Sequence, residues 1–374
     1  MATIDSFLAK AVKAGASNIH IATGSPPLVR IHGDLLPISK DILSEEFTKN
    51  LIFEMLNQDQ RKVLSTTRLE LDFSYKSSTG LRFRVNIFRQ RKGLDANFHV
   101  IPSRVPSLNE LGLPRLVQKL AKFNQGLILV TGSAGCGKSS TLAGIIDYIN
   151  RTEEKHIITV EDPIEFIHKN NKCMVNQREV GAHTKSFAIA LRQALRADPD
   201  IILVGEMRDL ETISMAITAA ETGHLVLGTL HTLSASKTID RIIDAFPGHQ
   251  KNQIRAMVSE SLRGVICQQL LKKPSGKGRI LACEILLGTP PIANLIREGK
   301  TFQIPSVIQM NRQLGMQTMD DSLLDLLKES GISFEEAMLH AHDRRQFEET
   351  CRSLHLLPSN SAPSKDSTQP IKGV

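Results

Sequence analysis

At 374 residues the chain is long enough for two domains, and an apolar fraction of 41% suits a globular protein. A formal charge of +7 permits an acidic partner, yet aromatics are only 4% of residues and Trp is absent, so stacking platforms for single-stranded nucleic acid are poorly supplied. Five scattered cysteines without a Cys-x-x-Cys pair argue against disulfide and zinc frameworks, the apolar runs are too short for a transmembrane segment, and Met1–Asp5 lacks signal-peptide character.

Residues 1–101 read as a small α/β unit. Residues 19–35 hold β-rich pieces broken at Gly24-Ser-Pro-Pro27 and His32-Gly-Asp34. Residues 44–64 read as helices, with Phe47, Leu51, Ile52, Met55 and Leu56 at helical spacing. Residues 81–89 alternate, apolar at Leu81, Phe83, Val85 and Ile87, which predicts a half-buried strand whose exposed edge carries Arg82 and Arg84. The Pro-containing stretch 102–114 is the expected linker.

Residues 115–356 then alternate strand and helix. Apolar strands are predicted at 127–131, 157–160, 200–204 and 225–229, with a helix N-capped by Asp209 and ended by Gly223. Such alternation implies a mostly parallel sheet covered on both faces. Past residue 250 the chain is expected to be helical, because Ile254, Met257, Val258, Leu262, Val265, Ile266 and Leu270 form one stripe. Ser333-x-x-Glu336 reads as a capping box opening a late helix. Residues 357–374, rich in Ser, Pro and Lys, are expected to be a disordered tail.

The most specific signal follows the strand at 127–131. Gly132-Ser-Ala-Gly-Cys-Gly-Lys-Ser139 has P-loop spacing. Glycines let successive N–H groups curl around phosphate oxygens, and the helix after them adds partial positive charge. Gly132, Ser133, Ala134, Gly135, Cys136, Gly137, Lys138, Ser139 and Ser140 are therefore the candidate nucleotide-binding residues. Lys138 would reach the β- and γ-phosphates, and the Ser139 hydroxyl would ligate Mg²⁺.

Three further stretches narrow the use made of the nucleotide. Residues 158–166 end a strand in the carboxylates Glu161, Asp162 and Glu165, able to orient water or to hold waters on Mg²⁺; the alternative is an acidic turn that only caps the next segment. Residues 198–209 have the Walker B shape, with Gly205 where Asp is usual and Glu206 left to support the metal. His224 and His231 bracket the strand near 225–229, and His231 is placed to sense a γ-phosphate or a bound water.

In this order the stretches resemble the secretion and type IV pilus motor ATPases, closest in spelling to the PilT/PilU family of twitching-motility ATPases. The resemblance runs through Gly15-Ala-Ser-Asn-Ile-His20, Leu81-Arg-Phe-Arg-Val-Asn86 and the P-loop. It continues in Val160–Phe166 (the Asp box), Gly205–Asp209, Glu221–Thr232 (the His box) and Thr238–Ile242. It implies an N-terminal PAS-like domain, a RecA-like ATPase domain and a hexameric ring. Glu165 would be the catalytic base, Glu206 the Mg²⁺-supporting acid and His231 the second His-box histidine. Arg82, Arg84 and Arg241 would neutralise phosphate charge.

ATP and Mg²⁺ are the implied cofactors. The implied partners are an inner-membrane pilus platform protein and a paralogous motor ATPase, at a cytoplasmic site peripheral to the pilus base. An accessory PilU-like, secretion or DNA-uptake motor is the alternative, and a nucleic-acid motor the alternative of another class. Departures from the family spelling are Cys136, which would be sensitive to oxidation, Ser140, Asn18, and residues 291 and 293 of Pro291-Ile-Ala-Asn-Leu-Ile-Arg-Glu298, a segment tied in the family to retraction.

Overall fold

A computed structural model describes residues 3–357 apart from His32, residues 67–68, Ser103 and Lys277. The tail expected at 357–374 lies, except for Leu357, outside the described residues.

The alternation at 81–89 becomes a strand of an antiparallel sheet. Helix α1 (Thr3–Lys13) leads into β1 (Asn18–Ile21), β2 (Leu28–Ile31) and β3 (Asp34–Pro37), then α2 (Glu45–Phe53) and α3 (Gln58–Thr66). Strands β4 (Glu70–Lys76), β5 (Arg82–Gln90) and β6 (Gly93–Ile101) complete six strands in the order β3-β2-β1-β6-β5-β4. Phe83, Val85 and Ile87 point into a core shared with Ile4, Leu8, Ile52 and Phe98, and Phe83 meets Phe98 edge to face at 6.1 Å. One expectation is corrected. Strand β5 pairs on both sides, with β4 and β6, so Arg82 and Arg84 stand on the face of the sheet turned away from its core and not at its edge. A strand's own residues define its two faces but not its neighbours.

The second sheet begins after α4 (Arg115–Leu120). Strand β7 (Gly126–Gly132) runs through the P-loop into α5 (Lys138–Thr152), followed by β8 (His156–Glu161), β9 (Met174–Glu179) and α6 (Phe187–Ala194). Strand β10 (Ile201–Val204), α7 (Leu210–Glu221), β11 (Leu225–Leu230), α8 (Ala235–Asp244) and α9 (Lys251–Ser261) come next. The hairpin β12 (Leu262–Lys272) and β13 (Arg279–Leu287) closes the order β13-β12-β7-β11-β10-β8-β9, parallel throughout except between β12 and β13.

Two apolar layers flank this sheet. Leu127 and Leu129 face a core with α7, α8 and α9, whereas Ile128 and Val130 face a core with α4 and α5. Residues 104–113, expected as a linker, lie against α5: Leu108 and Leu113 are buried, and a Cβ on Gly144 would stand 3.1 Å from Leu108 Cδ2. Helices α10 (Pro290–Arg297) and α11 (Ile304–Met310) join the first layer, while α12 (Met319–Lys328), α13 (Phe334–His340) and α14 (Arg344–Ser353) make a separate cluster against the β12–β13 hairpin.

The helical stripe expected past residue 250 is therefore half wrong. Ile254, Met257 and Val258 are helical, but Leu262, Val265, Ile266 and Leu270 belong to β12. Strand β12 lies between β7 and β13 and is buried on both faces, so apolar residues fill both of its alternation sets and hide the period of two. Gly264 also marks a strand: a Cβ there would stand 2.7 Å from Leu120 Cδ2. The capping box is corrected too. Ser333 Oγ accepts from Glu336 N, but the Glu336 carboxylate turns away to accept from Lys272 N at 2.8 Å. A complete box occurs at Thr318 and Asp321 instead.

Candidate nucleotide site

The carboxyl ends of parallel strands collect the sequence motifs on one rim, where loops of doubly wound sheets bind ligands. Strand β7 ends at Gly132, whose φ of 139° only glycine adopts readily, and a Cβ there would press on Gln268 O at 2.3 Å and Cys136 Sγ at 2.6 Å. Gly137 (φ 95°) caps α5, so Lys138 and Ser139 open that helix with their amide groups at its positive end. Ser133, Ala134 and Gly135 are exposed at the loop tip, Ser139 is exposed, and Ser140 is half-buried on α5.

Lys138 Nζ donates to Gly132 O at 2.8 Å and to Ser133 O at 2.9 Å, so the ammonium arches over the loop's own carbonyls. It also lies 3.4 Å from His231 Nδ1, and His231 Nε2 lies 3.1 Å from Glu206 Oε1. One assignment satisfies both contacts: Nδ1 accepts from the lysine and Nε2 donates to the carboxylate. Arg208 Nε closes the line at 2.5 Å from the same Glu206 oxygen. Partial burial pushes the Glu206 carboxyl up, but the hydrogen bond and charge of Arg208 and the hydrogen bond from His231 outweigh it and hold the group below its ordinary value.

The local backbone explains why Glu206 stands where it does. Gly205 N donates to Val160 O at 2.8 Å, and a Cβ on Gly205 would lie 3.1 Å from that oxygen and 3.2 Å from Glu161 Cα. The usual Asp would crowd β8, so glycine keeps the strands together, and the carboxylate of this stretch stands one residue on, at Glu206.

Glu161 ends β8, and Glu165 follows in the turn after Asp162-Pro163, half-buried. Burial pushes the Glu161 carboxyl up to about 7; hydrogen bonds from Thr159 and Gln177 oppose that, and the charges of Glu165 and Glu179 reinforce it. Arg82 reaches this turn from β5, donating from a guanidinium nitrogen to Ile164 O at 3.2 Å. Arg84 is exposed on β5 and Arg241 on α8, and among the described residues neither makes a hydrogen bond or ion pair with the P-loop, Asp box or His box. His224 lies at the opposite end of β11 from His231, its Nδ1 3.0 Å from Ala219 O at the end of α7, where it caps a helix.

The oxidation sensitivity expected at Cys136 is corrected. Its side chain is buried against Gly132, and burial pushes the thiol up, away from the reactive thiolate form. The residue packs the underside of the loop.

Several site residues carry no motif of their own. Arg208 pairs Glu206; Gln268, buried under the loop, donates to Thr141 Oγ1 at 2.7 Å; Glu284 accepts from Ala235 N at 2.6 Å at the start of α8, just beyond the His box. Arg208 lies within Gly205–Asp209, and its spacing of two from Glu206 is the signal the sequence offers for it. Gln268 and Glu284 sit in strands whose pairing sequence does not announce.

These donors suit a nucleotide. Main-chain amides and an ammonium group converge at the loop, the Ser139 hydroxyl is exposed beside it, and both contacts to Glu206 fall on Oε1. The fold and the loop define a P-loop nucleotide-binding protein with a parallel sheet and a second, N-terminal domain. The chain belongs to the type II/IV secretion system protein family, which matches residues 1–287. It is 52% identical over 334 residues to the type IV pilus retraction ATPase PilT of Pseudomonas aeruginosa, covering 89% of this chain and 96% of that protein. It is 39% identical over 330 residues to the type IV pilus ATPase PilU of the same organism, covering 88% and 86%. A crystal structure of the pilus retraction motor PilT with bound ADP superimposes with a TM-score of 0.86 at 46% identity, covering 93% of this chain and 99% of that one. No helix among the described residues is long and apolar enough to cross a membrane.

Proposed function

We propose that this chain hydrolyses ATP as a subunit of a homohexameric ring that drives type IV pilus retraction, and hence twitching motility. The observation that carries the reading is the line from Lys138 through His231 to Glu206, which joins P-loop, His box and Walker B acid on one rim of the sheet. Residues 1–101 form the N-terminal domain, 102–114 the connection and 115–356 the ATPase domain.

In this reading the amides of residues 132–140 and the Lys138 ammonium hold the phosphates, and Ser139 and Glu206 would hold Mg²⁺. When bound, the metal would supply neutralisation of phosphate charge. His231, tied to both Lys138 and Glu206, registers whether the lysine has turned from the loop carbonyls to a phosphate. Glu165 takes the proton of the attacking water. Arg84 and Arg241, exposed and without protein partners among the described residues, serve a nucleotide shared with a neighbouring subunit, as does Arg82 when released from Ile164. Little covalent work falls to the protein; positioning and charge stabilisation carry the reaction.

The ring works in the cytoplasm against an inner-membrane platform protein, with a paralogous motor as a further partner. An accessory or secretion role is favoured by one feature only: α10 departs from the retraction spelling at Pro291, which is exposed, and Ala293, which is half-buried, while Ile292 and Ile296 still anchor it in the core.

Replacing Glu165 by Gln tests the chemistry. The variant should bind ATP with near-normal affinity and lose about 10²-fold or more of kcat, within the range for a positioned base. Near-normal turnover would remove Glu165 from that role. Surface pili that accumulate and no longer retract in a deletion strain would support the biological assignment, and unchanged retraction would point to accessory work.

A further inference from the structure

The backbone of Ile164, the residue before Glu165, is held at both polar groups. Its N–H donates to Glu179 Oε2 at 3.0 Å, and its C=O accepts from the Arg82 guanidinium at 3.2 Å. Glu179 ends β9, and the oxygen that takes the Ile164 amide also accepts from Ser74 Oγ of β4 at 3.3 Å. Arg82 and Ser74 stand on neighbouring strands of the N-terminal sheet, whereas Glu179 ends a strand of the ATPase sheet and Ile164 lies in the turn that follows β8. The Ile164 side chain is itself buried. One short turn is thus tied down from both domains.

We propose that Glu179 and Arg82 form a two-ended latch on Ile164 that positions Glu165, so that hydrolysis depends on how the N-terminal domain sits against the ATPase domain. This rests on Glu165 as the base proposed above. Both latch residues are positioning residues here: neither has to touch nucleotide in the latched arrangement. The P-loop and Lys138 share no hydrogen bond with either residue, so nucleotide affinity and turnover should separate. A shift of about 1 Å in a catalytic group costs on the order of 10²-fold in rate, so losing one end of the latch should show mainly in kcat. A domain movement that draws Arg82 away would release the same turn, which makes the latch a route by which a neighbour in a ring could switch hydrolysis.

The test uses the full-length protein. Glu179→Ala removes the acceptor for Ile164 N–H, while Glu179→Gln keeps a carbonyl oxygen there. Expected are a kcat about tenfold or more below wild type for Glu179→Ala with KM for ATP within about twofold, and recovery to within about threefold of wild type for Glu179→Gln. Amide hydrogen exchange over residues 161–168 should speed up in Glu179→Ala and stay at the wild-type rate in Glu165→Gln. Ser74→Ala, which removes the N-terminal domain's bond to the same Glu179 oxygen, should add little to the cost of Glu179→Ala in the double variant, because both act on one turn.

Wild-type kcat in Glu179→Ala, unchanged exchange, a rise in KM equal to the loss of kcat, or costs that multiply in the double variant would each overturn the latch. If Glu165→Gln keeps its turnover while Glu179→Ala loses it, the base assignment falls and the latch stands as the device holding the Asp box.

Discussion

Glu161 offers a quantitative test of the electrostatics around the site. Its carboxyl ends β8 and is pushed from an ordinary 4.5 up to about 7, chiefly by burial, with Glu165 and Glu179 adding to the rise against hydrogen bonds from Thr159 and Gln177. Between pH 4.5 and 7 the folded protein therefore holds a proton that the unfolded chain has released, and stability must fall as pH rises through that window. Below it both states are protonated and the group contributes nothing; above it the full penalty is present. About 2.5 units at 1.36 kcal/mol each sets the penalty near 3 kcal/mol. Glu161→Gln keeps an oxygen for Thr159 and Gln177 but cannot ionise. Urea unfolding of both proteins without nucleotide, at pH values from about 5 to 8, reads the difference in stability. Any pH-independent cost of packing the amide cancels when differences at two pH values are compared. The variant should gain about 2–3 kcal/mol on wild type between the acidic and alkaline ends. A difference that stays constant with pH, or that grows toward acid, would refute the burial argument.

Other expectations follow from the same geometry. Lys138→Ala should leave the unfolding midpoint near wild type and weaken nucleotide binding at least tenfold in a fluorescent-nucleotide titration, since its hydrogen-bond partners are loop carbonyls and His231. Gly205→Asp, which restores the commoner Walker B letter, should destabilise the fold by about 1–3 kcal/mol in urea, because its Cβ lies 3.1 Å from Val160 O; unchanged stability would show that β8 yields. Gly132→Ala should impair both folding and nucleotide binding, with a Cβ 2.3 Å from Gln268 O at a positive φ. The five thiols are all buried, and burial pushes Cys283 up to about 12, so native protein should react far more slowly with an aromatic disulfide reagent than protein in denaturant. Rapid labelling of Cys136 in the native protein would restore it as an oxidation site.

What the sequence by itself determined is whatever depends on near neighbours along the chain. The P-loop is legible because its anion cradle is built from eight consecutive residues, with glycine where φ turns positive at 132, 135 and 137. The Asp209 cap of α7 is legible because donor and acceptor lie three residues apart. The central strands β7, β10 and β11 announce themselves as short apolar runs, since a parallel sheet buries both of their faces. The same burial misled at β12, where strand and helix patterns cannot be told apart. The two-sided pairing of β5, the inward turn of Cys136 and the diversion of Glu336 to Lys272 were decided only by tertiary structure. So were the hold of Glu179 and Arg82 on the turn before Glu165, and the line joining Lys138, His231 and Glu206. These contacts join residues 15 to 93 positions apart. A hydrogen bond at that separation exists only after strand order is set, and no local pattern of residues encodes which strand will lie next to which.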